Sequence, residues 1–142
     1  MKDTLKAGLT HTLTFTVPEN KTVPYLYPEA PGFVEMPKVF ATGFMVGLFE
    51  WACIELMRPH LDPGEGSLGI HVDFSHSAAT PPGLTVTVTA TCTKVDGRIL
   101  EFEVKGHDGI DAIGGGLHRR AVVRWDSFSA RVAKKQAAAG VR

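Results

Sequence analysis

The stretch Gly43-Phe44-Met45-Val46-Gly47-Leu48-Phe49-Glu50-Trp51-Ala52-Cys53-Ile54-Glu55-Leu56-Met57 decides the fold. It is apolar almost all round, and a helix of that kind has to be buried. Thr42 stands where an N-cap belongs, and Arg58-Pro59 supplies the stop. No other part of the chain has comparable helical character.

Downstream the period changes from helical to two. Ser67 to Ser77 alternates, with Ile70, Val72 and Phe74 as its apolar set and His71 and Asp73 opposite. Leu84, Val86, Val88, Ala90 and Cys92 then alternate with a row of threonines, Thr85 to Thr93. Asp96-Gly97 predicts a hairpin turn. Leu100, Phe102 and Val104 alternate with Glu101, Glu103 and Lys105, and Asp108-Gly109 predicts a second turn. A last strand is expected from about Ile110 to Trp125, interrupted by a bulge at Gly114-Gly115-Gly116. The basic, Ala-rich tail, about 129–142, is expected to fray from Arg131.

Upstream, Leu9 to Val17 reads as a first strand. Between it and the helix, residues 18–39 carry Pro18, Pro24, Pro28, Pro31 and Pro37, which exclude a long helix or a central strand. Tyr25, Phe33, Val34 and Met36 make this segment too apolar for a free linker. A long, stiff, apolar loop of this kind is expected to be a lid, and simple cover for the core is the alternative.

The order predicts one α+β domain over residues 1–142: a long buried helix wrapped by a curved antiparallel sheet of about five strands. That arrangement resembles the hot-dog fold. A single sheet leaves edges and part of the helix uncovered, so a homodimer is the natural closure.

Composition excludes several classes. Lys plus Arg and Asp plus Glu are both 15. That balance argues against nucleic acid or an anionic membrane as the main partner. The N-terminal residues hold no apolar signal region, and no run reaches the ~18 apolar residues of a membrane span. A cytoplasmic location is expected. Cys53 and Cys92 form no CxxC or ligand pattern and read as small buried hydrophobes. His11, His60, His107 and His118 show no ligand spacing, so no metal is expected.

Two residues carry the chemistry. Glu50 lies in the middle of the apolar helix, where a carboxylate is costly unless paired or used. Gly47, one turn away, leaves room for a ligand or another backbone. His76 is in phase with Ile70, Val72 and Phe74, so it should face the helix. A Glu and a His meeting in a dry pocket make an acid/base or nucleophile/base pair. A structural carboxylate at a subunit interface and a satisfied core histidine are the alternatives. Thr42 lies eight residues before Glu50, roughly 12 Å along a helix, and its bland role is capping. Gly69 permits close backbone approach to a ligand. Arg119 and Arg120 are candidates for the phosphates of a CoA-like ligand.

The segment Val39 to Cys53, the run Pro63-Gly64-Glu65-Gly66-Ser67-Leu68-Gly69, the stretch His76 to Val86 and His107-Asp108-Gly109 resemble the fluoroacetyl-CoA-specific thioesterases. The resemblance covers about Val23 to Phe128. It implies Thr42, Glu50 and His76 as a catalytic triad. In the mechanism expected of these residues, Glu50 attacks the thioester carbonyl or activates water, Thr42 orients Glu50 and His76 moves protons. It also implies substrate contacts from Gly69 and Arg120, lid residues Phe33 and Met36, a dimer, and no metal or prosthetic group. The implied reaction is hydrolysis of fluoroacetyl-CoA to fluoroacetate and CoA, a detoxification. Fluorine-selective members carry phenylalanine where this chain has Met36, so a general short acyl-CoA thioesterase is the first alternative. Hydration or dehydration of an acyl-CoA, and non-catalytic binding of CoA, an acyl-CoA or another acyl carrier, are the others.

Overall fold

A computed structural model describes residues 1–141. In chain order the elements are β1 (Thr10–Thr16), α1 (Pro31–Val34), α2 (Thr42–Met57), β2 (Glu65–His76), β3 (Thr85–Asp96), β4 (Ile99–His107), β5 (Ala112–Arg124) and α3 (Trp125–Ala139). The five strands form one antiparallel sheet in the order β1-β3-β4-β5-β2. Helix α2 packs on its inner face. This is the hot-dog arrangement.

The core follows from the two periods. Met45, Phe49, Ala52, Cys53 and Leu56 of α2 are buried against the even residues Val86 to Cys92 of β3 and against Leu100, Phe102 and Val104 of β4. The β3 threonines face out, and Thr16 and Thr85 pair their hydroxyls across β1 and β3 at 2.8 Å. Phe49 is fully buried, and its ring lies within 2.8 Å of where a Cβ on Gly106 would sit. Phe49→Ala is expected to cost about 3–5 kcal/mol of folding stability, readable as a lower urea midpoint with an unchanged slope.

Four expectations are corrected here. The residue capping α2 is Ala41, with extended backbone and no side-chain cap bond, and Thr42 is already helical. The hydroxyl of Thr42 is used elsewhere. The glycine triplet does not interrupt β5, which pairs continuously with β2 through Gly114, Gly115 and Gly116. A Cβ on Gly114 would stand 2.2 Å from the Ser75 carbonyl oxygen, and one on Gly116 2.0 Å from that of Asp73. The glycines therefore allow a close strand approach.

The tail does not fray from Arg131, because residues 125–139 form α3. Alanine and lysine are strong helix formers, and Gly140 ends the helix in the left-handed region at φ 70°. Finally, Ile70, Val72 and Phe74 do not form one apolar face. The register of β2 against β5 shifts between Gly69 and His71.

That shift positions the site. Before it, Ser67 and Gly69 lie opposite Val122 and Arg120. After it, Val72, Phe74 and His76 lie opposite His118, Gly116 and Gly114. His118, Arg120 and Val122 are all buried on the inner face. Opposed residues share a face, so the bulge puts Gly69 and His76 on the same inner face despite their odd separation. Ile70 is expelled and exposed. Strand β2 is an edge strand, and Val72, although on the inner face, remains 44% exposed.

Residues 18–39 run as short turns: single 3-10 turns at Glu19–Lys21 and Val23–Tyr25, then the one-turn α1. The rings of Tyr27 and Phe33 stack with centroids 6.0 Å apart.

Candidate active site

The candidate residues fall into two groups along α2. At its first turn, the Thr42 hydroxyl and His76 Nδ1 are 2.8 Å apart. His76 reaches this point from the last residue of β2. Burial holds its pKa below the ordinary 6.5, partly opposed by a hydrogen bond with the Ala78 backbone. The neutral imidazole is therefore the form present at pH 7. Its other nitrogen, Nε2, is buried without a hydrogen-bond partner among the described residues. A cavity of about 320 Å³ opens here, lined among others by Val23, Met36, Val39, Thr42, His76 and Ala78.

The second group lies two turns further along α2. Arg120 Nη1 donates to Glu50 Oε2 at 2.8 Å. Arg120 is 4% exposed and Glu50 32%, so the cation is inside and the carboxylate at the boundary. The rest of the guanidinium is held by Ser67: Nε donates to its hydroxyl at 2.8 Å and Nη2 to its carbonyl at 3.0 Å. Gly69 leaves the space that Glu50 fills, since a Cβ there would lie 2.5 Å from Oε2. A charge-assisted bond to a fixed Arg aims the carboxylate.

The structure thus brings Thr42 to His76, and Glu50 to Arg120 and Gly69. It does not bring Glu50 to His76 within one chain, nor does Thr42 orient Glu50. The helix spaces the two groups by about 12 Å, and each is bonded to its own partners. Arg120 is also poorly placed for phosphates, because its side chain is buried and three of its five N–H donors go to Ser67 and Glu50. Arg119 points to the outer face, 3.3 Å from Glu101.

Sequence reasoning missed His118 and Ser67. His118 is fully buried, and its ring lies between Arg120 and the β2 backbone. Its signal was present: His118 and Arg120 alternate in phase with Val122, which puts two polar side chains on an apolar face.

The cysteines do not compete as nucleophiles. Both are buried and free, and burial pushes the Cys53 thiol up to about 12. No thiolate forms there near neutral pH. No helix among the described residues is long and apolar enough to cross a membrane. What remains is a hydroxyl–imidazole pair and an arginine-held carboxylate on one partly uncovered inner face, the components of acyl transfer by general acid–base or nucleophilic catalysis.

Comparison with known proteins agrees. The family model for the fluoroacetyl-CoA-specific thioesterases matches residues 19–126. A fluoroacetyl-CoA thioesterase of Streptantibioticus cattleyicolor is 57% identical over 135 residues, which is 95% of this chain and 97% of that protein. A solved fluoroacetyl-CoA thioesterase superposes with a TM-score of 0.91 at 56% identity, covering 94% of this chain and 98% of that one. A thioesterase superfamily member from Thermus thermophilus superposes at 0.83 with 26% identity, covering 96% of this chain and 98% of that one. A match over most of the chain and identity this high place the function as well as the fold. The chain belongs to the fluoroacetyl-CoA-specific thioesterase family and is an acyl-CoA thioester hydrolase.

Proposed function

We propose that this chain hydrolyses fluoroacetyl-CoA to fluoroacetate and CoA, with Glu50, His76 and Thr42 as catalytic residues in a cytoplasmic detoxification. The observation that carries this reading is the arginine-held carboxylate of Glu50 on the same inner face as the Thr42–His76 pair. Glu50 supplies the nucleophile, as its own oxygen or as a water it deprotonates. The new C–O bond forms at the thioester carbonyl and the C–S bond breaks. Attack by Glu50 itself leaves a mixed anhydride that a water then hydrolyses, so either route consumes one water. The neutral imidazole of His76 takes the proton of that water, directly or from Glu50, and passes it to the departing thiolate, leaving fluoroacetate, CoA and an unchanged Glu50. Thr42 fixes the imidazole ring of His76 rather than Glu50. The carboxylate, hydroxyl and imidazole suffice for this chemistry without a metal or prosthetic group.

The two groups act together through a homodimer. Strand β2 carries an unpaired edge, and Val72 lies exposed between Gly69 and His76. Antiparallel pairing of β2 with a second copy, about a twofold axis near Asp73, sets Gly69 of one copy against His76 of the other. Glu50 packs on Gly69, so that pairing brings it to the opposite Thr42–His76 pair. Each site then draws on both chains.

Residues 18–39 act as the lid, with Met36 at the Thr42–His76 cavity and Phe33 in the same segment. Gly69 and Arg120 form the substrate-side wall, Arg120 acting through Glu50. Methionine is flexible and fills space less specifically than an aromatic ring. That favours a second reading, a broader short acyl-CoA thioesterase.

A thiol-release assay across fluoroacetyl-, acetyl-, propionyl- and malonyl-CoA separates the two. Fluoroacetyl-CoA is expected to give the highest kcat/KM. Met36→Phe is expected to widen its lead over acetyl-CoA by about tenfold, the order of one shaped apolar contact. Equal kcat/KM for fluoroacetyl- and acetyl-CoA in both proteins would establish the broader enzyme.

A further inference from the structure

Arg120 is the fixed point on which Glu50 rests, and Ser67 accounts for only two of its three nitrogens. The third, Nη1, has two protons. One goes to Glu50 Oε2 at 2.8 Å, and the other is directed at His118 Nε2, 3.2 Å away. On the far side of the same ring, His118 Nδ1 is 2.8 Å from the carbonyl oxygen of His71. A carbonyl only accepts and a guanidinium only donates. The ring must therefore be neutral, with its proton on Nδ1 and its lone pair on Nε2. Glu50 Oε2 also lies 3.8 Å from Nε2, but that is no ion pair with a neutral ring, and the closer arginine is the true partner.

We infer that His118 is a positioning residue for hydrolysis: it accepts the second Nη1 proton of Arg120 and so fixes the direction in which Arg120 holds Glu50. The ring is itself immobile. It is fully buried between Phe74 and Phe102, with centroids 5.8 and 6.5 Å away. Its bond to the His71 carbonyl ties it to β2 beside the bulge that places Gly69. One imidazole thereby couples the strand register to the carboxylate's aim. Without an acceptor at Nε2, a buried guanidinium proton is left unpaired, and Nη1 loses the restraint on the side opposite Ser67, so that the direction in which Arg120 holds Glu50 is less tightly set.

The inference rests on the proposed role of Glu50, and its test separates the two. His118→Asn keeps a group near Nδ1 able to donate to His71 but removes the acceptor facing Arg120. His118→Gln places an amide oxygen near Nε2. The asparagine variant is expected to lose about 10²-fold in kcat, the cost of a misplacement of about 1 Å, with KM within about twofold. The glutamine variant is expected to recover to within about tenfold of the parent. Glu50→Gln is run alongside. Wild-type kcat in His118→Asn, with Glu50→Gln inactive, overturns the inference and leaves the Glu50 reading standing. Equal losses in the asparagine and glutamine variants make the histidine merely structural and also overturn it. Full activity in Glu50→Gln removes the reading beneath it. Nitrogen-15 NMR of the unaltered protein supplies a check that needs no variant. The neutral Nδ1–H tautomer is expected for His118, and an Nε2–H tautomer would refute the inference outright.

Discussion

Glu50→Gln lowers kcat for thioester hydrolysis by about 10²–10⁴-fold, the usual contribution of a positioned acid or base. The substitution is nearly isosteric. Its amide oxygen still accepts from Arg120 Nη1, now 2.8 Å from Oε2, so the buried cation keeps a partner and the fold is retained. Only the negative charge and the basicity are lost. A nucleophile or a general base needs both, whereas a structural bridge to Arg120 needs only the acceptor. Steady-state kinetics with fluoroacetyl-CoA, beside a thermal melt showing retained structure, distinguish the two roles. Near-parental kcat would make Glu50 a structural carboxylate.

His76→Ala is expected to reduce kcat/KM over a similar range, about 10²–10⁴-fold, and also to change the pH profile. In the parent, burial disfavours the imidazolium, so the His76 pKa lies below the ordinary 6.5. Protonation at low pH removes the ring's ability to take a proton. Activity therefore falls as pH drops through a midpoint below 6.5 and is flat from there to neutral pH. His118, which burial also holds low, contributes to the same acid limb through Arg120. Removing His76 should abolish most of the limb that remains measurable. A midpoint above 7 in the parent would mean that the imidazolium is favoured, opposite to the effect of burial.

Much of the fold was legible in periodicity. An all-round apolar helix and the strict alternation of Val86, Val88, Ala90 and Cys92 leave few ways to build a core, and the structure buries those residues. Glu50 and His76 stood out because each breaks an apolar pattern. Their partners were less visible. Thr42 has the chemistry of a cap, and only the chain's path from Ala41 into α2 shows its hydroxyl on His76. The bulge at Ile70 reverses the phase of β2, which no alternation rule applied to an unbroken strand can detect. It is what places Gly69 and His76 on one face. The C-terminal helix was missed because a polar, Ala-rich segment has no buried face to mark it, though its intrinsic propensity was high. The expected meeting of Glu50 with His76 failed within one chain for a simple reason. Two side chains anchored at turns about 12 Å apart along a rigid helix cannot converge within that chain, which is why the proposed site draws on a second copy.

That second copy is the point to test. Glu50→Gln and His76→Ala chains carrying different tags are co-expressed, and the mixed dimer is isolated through both tags. If each site takes Glu50 from one chain and His76 from the other, the mixed dimer holds one doubly altered site and one intact site. Its thioesterase activity per dimer is then predicted at about half that of the parent, although both parent variants are inactive. A mixed dimer as inactive as either variant alone would contradict the shared site.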